Sequence, residues 1–454
     1  MKLRELSLAA TILSVAFVTN TTSAQTIFET SNHKLSVTGY LRTGLGYSKN
    51  GDTQANFHMP GALNCYTLGN QPNTYGELGF DYRHYLNSDK SKSLDAMWMV
   101  SMYEAFGSDG AMSFNKIEQF YIKANNLLGF GEYIWAGKRF YDRKSIYMLD
   151  RMWLNPGQNG WGAGVENLLN KGTDEDLKFA AWQLRNEDVV SYENGLVGDL
   201  YTYTADIRWV NKPITERANI NFALNFSYRV ANDELSYAGH DGYGAFVWID
   251  YANPKKFITN TTAVLLRHGA NITKHHWTGI SISENPGNNT LITNNLNGSY
   301  SVELNNDFLY DNKDSFCVNV VTMLVASNYG TAPYSVNDGV RTYVAERGEN
   351  FYWASTGVRS SYYVSQYFRP TFEYSYEYGH SEQLDTKGSL HRFTFTPELS
   401  LKKGYYSRPV LRPFASYALW DDGLKGYVGT TPKGAPYGDA TQGFTYGVQF
   451  EIWW

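Results

Sequence analysis

The chain contains little cysteine, little proline and no excess of positive charge. Its 454 residues include 2 Cys and 13 Pro, and 39 Lys+Arg against 44 Asp+Glu give a formal net charge of −5. Two cysteines are far fewer than an exported disulfide scaffold carries, and spacing alone leaves open whether Cys65 and Cys317 are paired or free. A weakly acidic chain without a basic patch is unsuited to neutralising phosphates, so no nucleic-acid partner is expected.

Metal-binding motifs are also missing. The nine histidines form neither an HExxH motif nor a Cys/His cluster, and His275-His276 is the only adjacent pair. Solvated loop histidines explain this scatter better than a metal site does. We therefore expect neither a metal nor another cofactor.

After residue 24 there is no apolar run of the roughly 18 residues that a membrane-spanning helix needs. At the N-terminus, Lys2 and Arg4 precede a shorter apolar run over residues 6–18, and small residues follow at 22–24. This pattern predicts a secretory signal peptide over residues 1–24, cleaved to leave a single domain over residues 25–454. The exported protein is then either soluble or a closed β-barrel in a membrane.

Aromatic residues are abundant, at 16% of the chain, and they take part in a period-two pattern. Apolar side chains stand at alternate positions over residues 35–47, 220–230 and 368–378, with polar residues between them. Such alternation predicts strands with one apolar and one polar face. A soluble sandwich has the same alternation, so the pattern alone does not choose between the two architectures.

The number and spacing of the predicted strands favour a membrane barrel. Eighteen segments show the pattern, at residues 34–47, 73–86, 94–106, 117–124, 133–141, 161–170, 177–186, 200–210, 218–230, 243–252, 258–267, 299–310, 316–327, 351–364, 368–379, 390–401, 407–420 and 444–454. Short and long connections alternate between them, which places turns on one side and loops on the other. The last segment is apolar on one face and ends on Trp454, as expected for a strand that closes a barrel in lipid. The predicted fold is an all-β, 18-stranded antiparallel transmembrane β-barrel with short periplasmic turns and long extracellular loops.

Strand parity assigns side chains to the inside of this barrel. It places Tyr40 and Arg42, Tyr75 and Glu77, and Trp353 and Trp453 in the lumen. Aromatic rings flanked by charged groups suit pyranose sugars, whose C–H faces stack on rings while their hydroxyls form hydrogen bonds. The alternative is that the same rings pack under a loop folded into the barrel.

The third long connection, residues 142–160, differs from the other loops. It combines charges such as Arg143 and Asp150 with the bulky Met152 and Trp153, whereas the loop over residues 268–298 is mostly Asn, Gly and Thr. This composition favours a segment folded into the pore as a constriction, with a solvated surface loop as the alternative.

Several motifs, spread in order over the whole mature chain, resemble the maltoporin family of outer-membrane carbohydrate porins. They are Gly39-Tyr40-Leu41-Arg42-Thr43-Gly44, Leu68-Gly69-Asn70, Trp135-Ala136-Gly137-Lys138-Arg139-Phe140-Tyr141, Gly162-Ala163-Gly164-Val165-Glu166-Asn167, Ser407-Arg408-Pro409 and Glu451-Ile452-Trp453-Trp454. The resemblance implies a homotrimer in the outer membrane through which maltose and maltodextrins diffuse passively. It also implies a slide of aromatic rings at Tyr40, Tyr75, Trp353 and Trp453, and a polar track at Arg42, Glu77, Arg143 and Asp150.

The sequence departs from the family pattern at several positions, in the first loop and in the predicted constriction. Thr67 stands where the family has arginine, Ser145 and Tyr147 where it has aspartate and histidine, and Met152 near its constriction tyrosine. The usual first-loop disulfide cannot form, because Cys65 is the only cysteine there. These departures leave another sugar, such as sucrose or an aryl-glucoside, as an alternative substrate.

Two other functional classes fit the sequence less well. An outer-membrane enzyme is not expected, since no Gly-x-Ser-x-Gly or comparable motif is present. A secreted soluble protein that binds or hydrolyses carbohydrate could use the same aromatics and carboxylates. It would not, however, end on a lipid-facing strand.

Overall fold

The computed structural model describes residues 24–49, 52–62, 64–106, 113–154, 160–169, 173–190, 196–273, 296–328, 334–337, 342–345, 350–382, 384–429 and 436–454. The strands in these residues are β1 (Gln25–Glu29), β2 (His33–Ser48), β3 (Asp52–Thr53), β4 (Asn73–Tyr85), β5 (Ser93–Ala105), β6 (Ser113–Asn125), β7 (Tyr133–Lys138), β8 (Lys144–Ile146), β9 (Arg151–Leu154), β10 (Gly160–Glu166), β11 (Asp176–Val190), β12 (Val197–Thr215), β13 (Ala218–Arg229), β14 (His240–Asn253), β15 (Ile258–Gly269), β16 (Tyr300–Asp311), β17 (Phe316–Asn328), β18 (Tyr334–Asn337), β19 (Thr342–Ala345), β20 (Asn350–Tyr362), β21 (Phe368–Ser381), β22 (Thr386–Ser400), β23 (Val410–Trp420) and β24 (Gln442–Trp453).

Helical structure in the described residues is limited to short segments. These are α1 (Ala270–Thr273) and single 3₁₀ turns at Tyr147–Leu149, Pro254–Lys256 and Asp422–Leu424. None of the helices in the described ranges is long and apolar enough to cross a membrane.

Eighteen strands form a closed antiparallel barrel. The pairing runs from β2 to β4–β7, then through β10–β17 and β20–β24. The last strand, β24, pairs with β2 and places Trp453 opposite Tyr40. The short strand β1 pairs with residues 34–37 of β2, before the part that pairs with β24. Closure satisfies the backbone groups that an open sheet edge would leave unpaired in lipid. The predicted 18-stranded fold is confirmed, and each of the eighteen predicted segments corresponds to one barrel strand.

The side chains alternate between a polar lumen and an apolar outer surface. On β13, the outward-facing Leu224, Phe226 and Tyr228 are 46%, 51% and 49% exposed, whereas Asn225 and Ser227 face inward and are buried. A soluble sandwich would bury the apolar face instead. An apolar surface of this extent requires lipid around it.

The longest connections all lie at one end of the barrel, as the sequence predicts, but the predicted alternation of short and long connections is not regular. Residues 254–257 and 312–315 are short turns at one end, and residues 49–72 and 421–441 are long loops at the other. At the long-loop end, however, residues 382–385 form a connection shorter than residues 401–409 at the short-turn end. In outer-membrane barrels the short turns face the periplasm.

The first loop, residues 49–72, folds into the barrel, which the sequence analysis did not predict. Its Phe57, Met59 and Tyr66 are buried in the same core as the inner face of β20. The Tyr66 hydroxyl lies 2.7 Å from Ser355 Oγ, and its ring lies against Gly357. A Cβ at Gly357 would lie 2.1 Å from one carbon of that ring, so only glycine fits there.

Both cysteines are buried and free. Cys65 lies in the first loop, outside the barrel strands, and burial raises the pKa of its thiol to about 12. The thiol therefore stays protonated and unreactive at neutral pH.

Candidate functional site

The third loop crosses the lumen as a small hairpin. Strands β8 and β9 pair with each other, and the 3₁₀ turn Tyr147–Leu149 forms the tip. Asp150 ends that turn in the left-handed conformation, at φ 50°. The prediction that this loop folds into the pore is confirmed.

The base of the hairpin is tied to the wall formed by β14–β16. Lys144 Nζ lies 3.4 Å from Asp250 Oδ2, and Arg151 forms a buried ion pair with Glu303. Arg267 Nη2 donates a hydrogen bond of 3.1 Å to the Trp153 carbonyl oxygen. These contacts fix one side of the hairpin against the barrel.

The tip of the hairpin reaches the opposite wall, formed by β2, β23 and β24. Asp150 Oδ2 lies 3.3 Å from Arg42 Nη1 on β2. The Tyr147 hydroxyl donates a hydrogen bond of 2.7 Å to Glu451 Oε2 on β24. The hairpin therefore spans the lumen and divides its cross-section.

Four aromatic rings meet where the hairpin tip touches the wall. The rings of Tyr40 and Trp453 are stacked at 6.4 Å and 18°, and the Tyr75 ring lies 6.0 Å from Tyr40. Tyr147 meets Trp453 edge-on at 6.1 Å and 84°. We call Tyr40, Tyr75, Tyr147 and Trp453 the aromatic group.

Hydrogen-bonding groups surround this aromatic group. The Tyr40 hydroxyl donates to Glu451 Oε1 at 2.9 Å, and the Tyr75 hydroxyl donates to Glu77 Oε1 at 2.7 Å. The Asp150 side chain is 55% exposed, whereas that of its partner Arg42 is only 9% exposed. Asp150 thus presents a solvent-accessible carboxylate beside the rings.

Glu451 is the centre of a buried charge cluster behind the rings. Arg408 Nε and Arg412 Nη1 donate to Glu451 Oε2 at 2.7 and 2.6 Å. Both arginines also donate to the Tyr147 hydroxyl, and the Arg408 guanidinium lies 4.1 Å from the Trp453 ring centroid. The cluster therefore positions two members of the aromatic group at once.

The structure does not bring every predicted residue into this site. Trp353 is buried, donates to Glu377 Oε2 at 3.1 Å and belongs to the core that includes the first loop. Trp153 is buried against Trp248 at the base of the hairpin. Neither ring lies in the aromatic group, because the infolded first loop covers Trp353 and the hairpin packs Trp153 onto the wall.

The remaining predicted residues lie nearer to the site. The Arg143 guanidinium lies over the Phe140 ring, 3.9 Å from its centroid. Met152 is half-buried on β9. Tyr40, Arg42, Tyr75, Glu77, Asp150 and Trp453 are the predicted residues that form the site itself.

Comparison with known protein families shows to which family the chain belongs. The sequence matches the LamB porin family over residues 35–454. The chain belongs to the LamB porin family. Its members are channels of the outer membrane, so this protein is a porin and not an enzyme, and the resemblance to maltoporins is confirmed.

Solved porins of low sequence identity are similar in fold to this LamB porin. A loop L8 deletion mutant of OmpT, an outer membrane protein of Vibrio cholerae, is 11% identical and has a TM-score of 0.42, and the match covers 93% of this chain and 100% of that one. The anion-selective porin from Comamonas acidovorans is 12% identical, covers 92% and 100%, and has a TM-score of 0.41. OccAB4 of Acinetobacter baumannii is 9% identical, covers 94% and 99%, and has a TM-score of 0.43. Similarity at this level identifies neither a substrate nor an assembly.

Two residues of the site in this LamB porin, Glu451 and Tyr147, were not predicted from the sequence as members of it. Glu451 stands two residues before Trp453, so strand parity alone would have placed it beside that ring. Tyr147 departs from the family pattern, but its position in the sequence does not predict that its hydroxyl contacts Arg408 and Arg412. That contact depends on how far the hairpin reaches across the lumen.

Proposed function

We propose that this porin conducts maltose and maltodextrins by passive diffusion through a sugar-binding lumen. The observation that carries the proposal is the stacked pair of Tyr40 and Trp453, 6.4 Å apart, where the hairpin tip meets the wall. Both rings remain partly exposed, and aromatic rings gain nothing from water in a polar pore. They gain free energy when the apolar face of a pyranose covers them.

Each predicted residue has a role in this proposal. Tyr40, Tyr75 and Trp453 stack on the sugar, while Arg42, Glu77, Arg143 and Asp150 exchange hydrogen bonds with its hydroxyls. Met152 narrows the pore from β9. The buried Trp353 and Trp153 support the first and third loops instead of contacting the sugar.

The proposal is tested by sugar block of ion current through single channels in planar bilayers. Adding maltohexaose is expected to reduce the current in a concentration-dependent way. Tyr40→Ala and Trp453→Ala each remove one stacking ring, so the half-blocking concentration should rise about two- to tenfold. Trp98→Ala, which removes a lipid-facing ring from β5, is the matched control and should leave it unchanged.

Two results of this experiment would redirect the proposal. Block by sucrose or an aryl-glucoside at lower concentration than by maltodextrins would assign the porin to that other sugar. Unchanged block in both ring variants would show that the rings serve packing and not sugar binding.

Two further features complete the proposal. We infer that the chain assembles as a homotrimer in outer-membrane lipid, as the family resemblance implies, and that export removes residues 1–24. Cross-linking of the purified porin followed by mass determination tests the first inference. N-terminal sequencing tests the second, and Gln25 is the expected first residue.

A further inference from the structure

The turn between β22 and β23, residues 401–409, folds back into the barrel from the end that carries the short turns. Its Tyr405 is 5% exposed and packs with Leu309, Cys317 and Tyr363. The Tyr405 hydroxyl donates to Asn319 Oδ1 at 2.9 Å, and its backbone N–H donates to Asp311 Oδ2 at 2.8 Å. Tyr405 is therefore an anchor that holds this turn against the inner wall.

The next residue, Tyr406, is placed differently. Its side chain is 45% exposed although the turn lies inside the barrel. Its ring meets Tyr405 at 4.8 Å and 89° and Tyr147 at 5.8 Å and 68°. Both contacts are edge-to-face, so they hold the ring in position without covering it.

Tyr406 continues the aromatic group past the hairpin tip. Tyr147 contacts Trp453 on one side and Tyr406 on the other. Because the 401–409 connection enters the barrel from the end that carries the short turns, Tyr406 approaches Tyr147 from the periplasmic side. The ring thus extends the row of aromatics toward the periplasmic exit.

On the basis of the proposed sugar conduction, we propose that Tyr406 is an additional sugar-stacking position on the periplasmic side of the Tyr40 and Trp453 pair. Tyr405 already fixes the turn, so the exposed Tyr406 ring is not needed for packing. Its chemistry suits the apolar face of a glucosyl unit that has passed the hairpin.

This placement makes the role of Tyr406 depend on the length of the sugar. A disaccharide on the Tyr40 and Trp453 pair does not need to reach beyond Tyr147. A longer linear oligosaccharide reaches both sides of the hairpin tip at once. Tyr406 should therefore strengthen the binding of long maltodextrins more than that of maltose.

The test compares maltose and maltohexaose as blockers of single-channel current in planar bilayers. Tyr406→Ala removes the ring, and Tyr406→Leu keeps an apolar side chain without a flat face. In both variants the half-blocking concentration of maltohexaose should rise about two- to tenfold, while that of maltose stays at the parent value. Tyr417→Ala, which removes a lipid-facing tyrosine, is the control and should change neither value.

The outcomes separate this inference from the proposed function. If maltohexaose blocks the unmodified porin and both Tyr406 variants equally, Tyr406 is not a stacking position and the proposed function stands. A rise for maltose as large as that for maltohexaose would also overturn the inference, because it would indicate a general change of the pore. If neither sugar blocks the unmodified porin, the proposed function fails and this inference fails with it.

Discussion

At the residue scale, the Tyr147 hydroxyl joins the third loop to the barrel wall. It donates to Glu451 and accepts from Arg408 and Arg412. Burial raises the pKa of Tyr147, so its hydroxyl stays protonated and can serve as this donor at neutral pH. One oxygen atom therefore links the loop to two strands.

Removing this oxygen should destabilise the folded barrel. Tyr147→Phe leaves buried charged groups without one of their hydrogen-bond partners, which costs about 1–3 kcal/mol. The free energy of unfolding, measured from urea titration of the porin in lipid vesicles, should fall by that amount. Tyr417→Phe removes a hydroxyl that bonds Gln442 at an exposed position and should have little effect. Equal stability of the two variants would mean that the Tyr147 contacts contribute nothing.

Individual lumen residues could be predicted from the sequence only where strand parity decides the outcome. Parity places Tyr40, Arg42 and Trp453 correctly because side chains on a strand must alternate. It also points Trp353 inward, and the structure agrees on the direction. Parity carries no information about which inward side chains a loop will cover, and the sequence therefore did not show that Trp353 lies under the first loop, 3% exposed.

At the scale of elements, the β8–β9 hairpin depends on a buried ion pair at its base. Glu303 on β16 faces Arg151 of the hairpin and Arg267 of β15, whose Nη1 lies 3.5 Å away. All three side chains are almost completely buried. Two positive charges therefore share one carboxylate in a site without access to water.

Neutralising that carboxylate should weaken the attachment of the hairpin to the wall. Glu303→Gln removes the negative charge that Arg151 and Arg267 share, and breaking a buried ion pair costs about 3–5 kcal/mol. Stability to urea should fall accordingly, and the open-channel current should become noisier because the hairpin loses one of its attachments to the wall. Asp199→Asn breaks an exposed pair with Arg185, whose side chain is 50% exposed, and should change neither quantity. A quiet current and parent stability in Glu303→Gln would contradict this account of the loop.

Elements with a strict period could be predicted, and elements without one could not. The eighteen barrel strands were predicted because each must present an apolar face to lipid over its whole length. The first loop and the 401–409 turn have no such repeat, so their inward course was missed. The third loop was recognised because charged and bulky residues occur together in it.

At the scale of the whole molecule, the barrel has polar side chains inside and apolar side chains outside, and this apolar surface must contact lipid. Leu224 lies in the middle of β13 on that surface, between the inward-facing Ala223 and Asn225. A cation at the middle of the lipid-facing band costs about 2–4 kcal/mol.

Leu224→Arg should therefore reduce the yield and the urea stability of the folded barrel in vesicles. Leu224→Val, which keeps an apolar side chain, is the control and should fold as the unmodified porin does. Folded and unfolded fractions can be separated by their different gel mobilities with and without boiling. Normal folding of Leu224→Arg would show that this face does not contact lipid.

We propose that the lumen selects sugars by shape and stacking, and not by size alone. Swelling of liposomes that contain the porin measures this directly when maltotriose is compared with its isomer raffinose. We expect faster swelling in maltotriose, and loss of that difference when Tyr40 and Trp453 are both replaced by alanine. Equal swelling rates for the two isomers in the unmodified porin would contradict it.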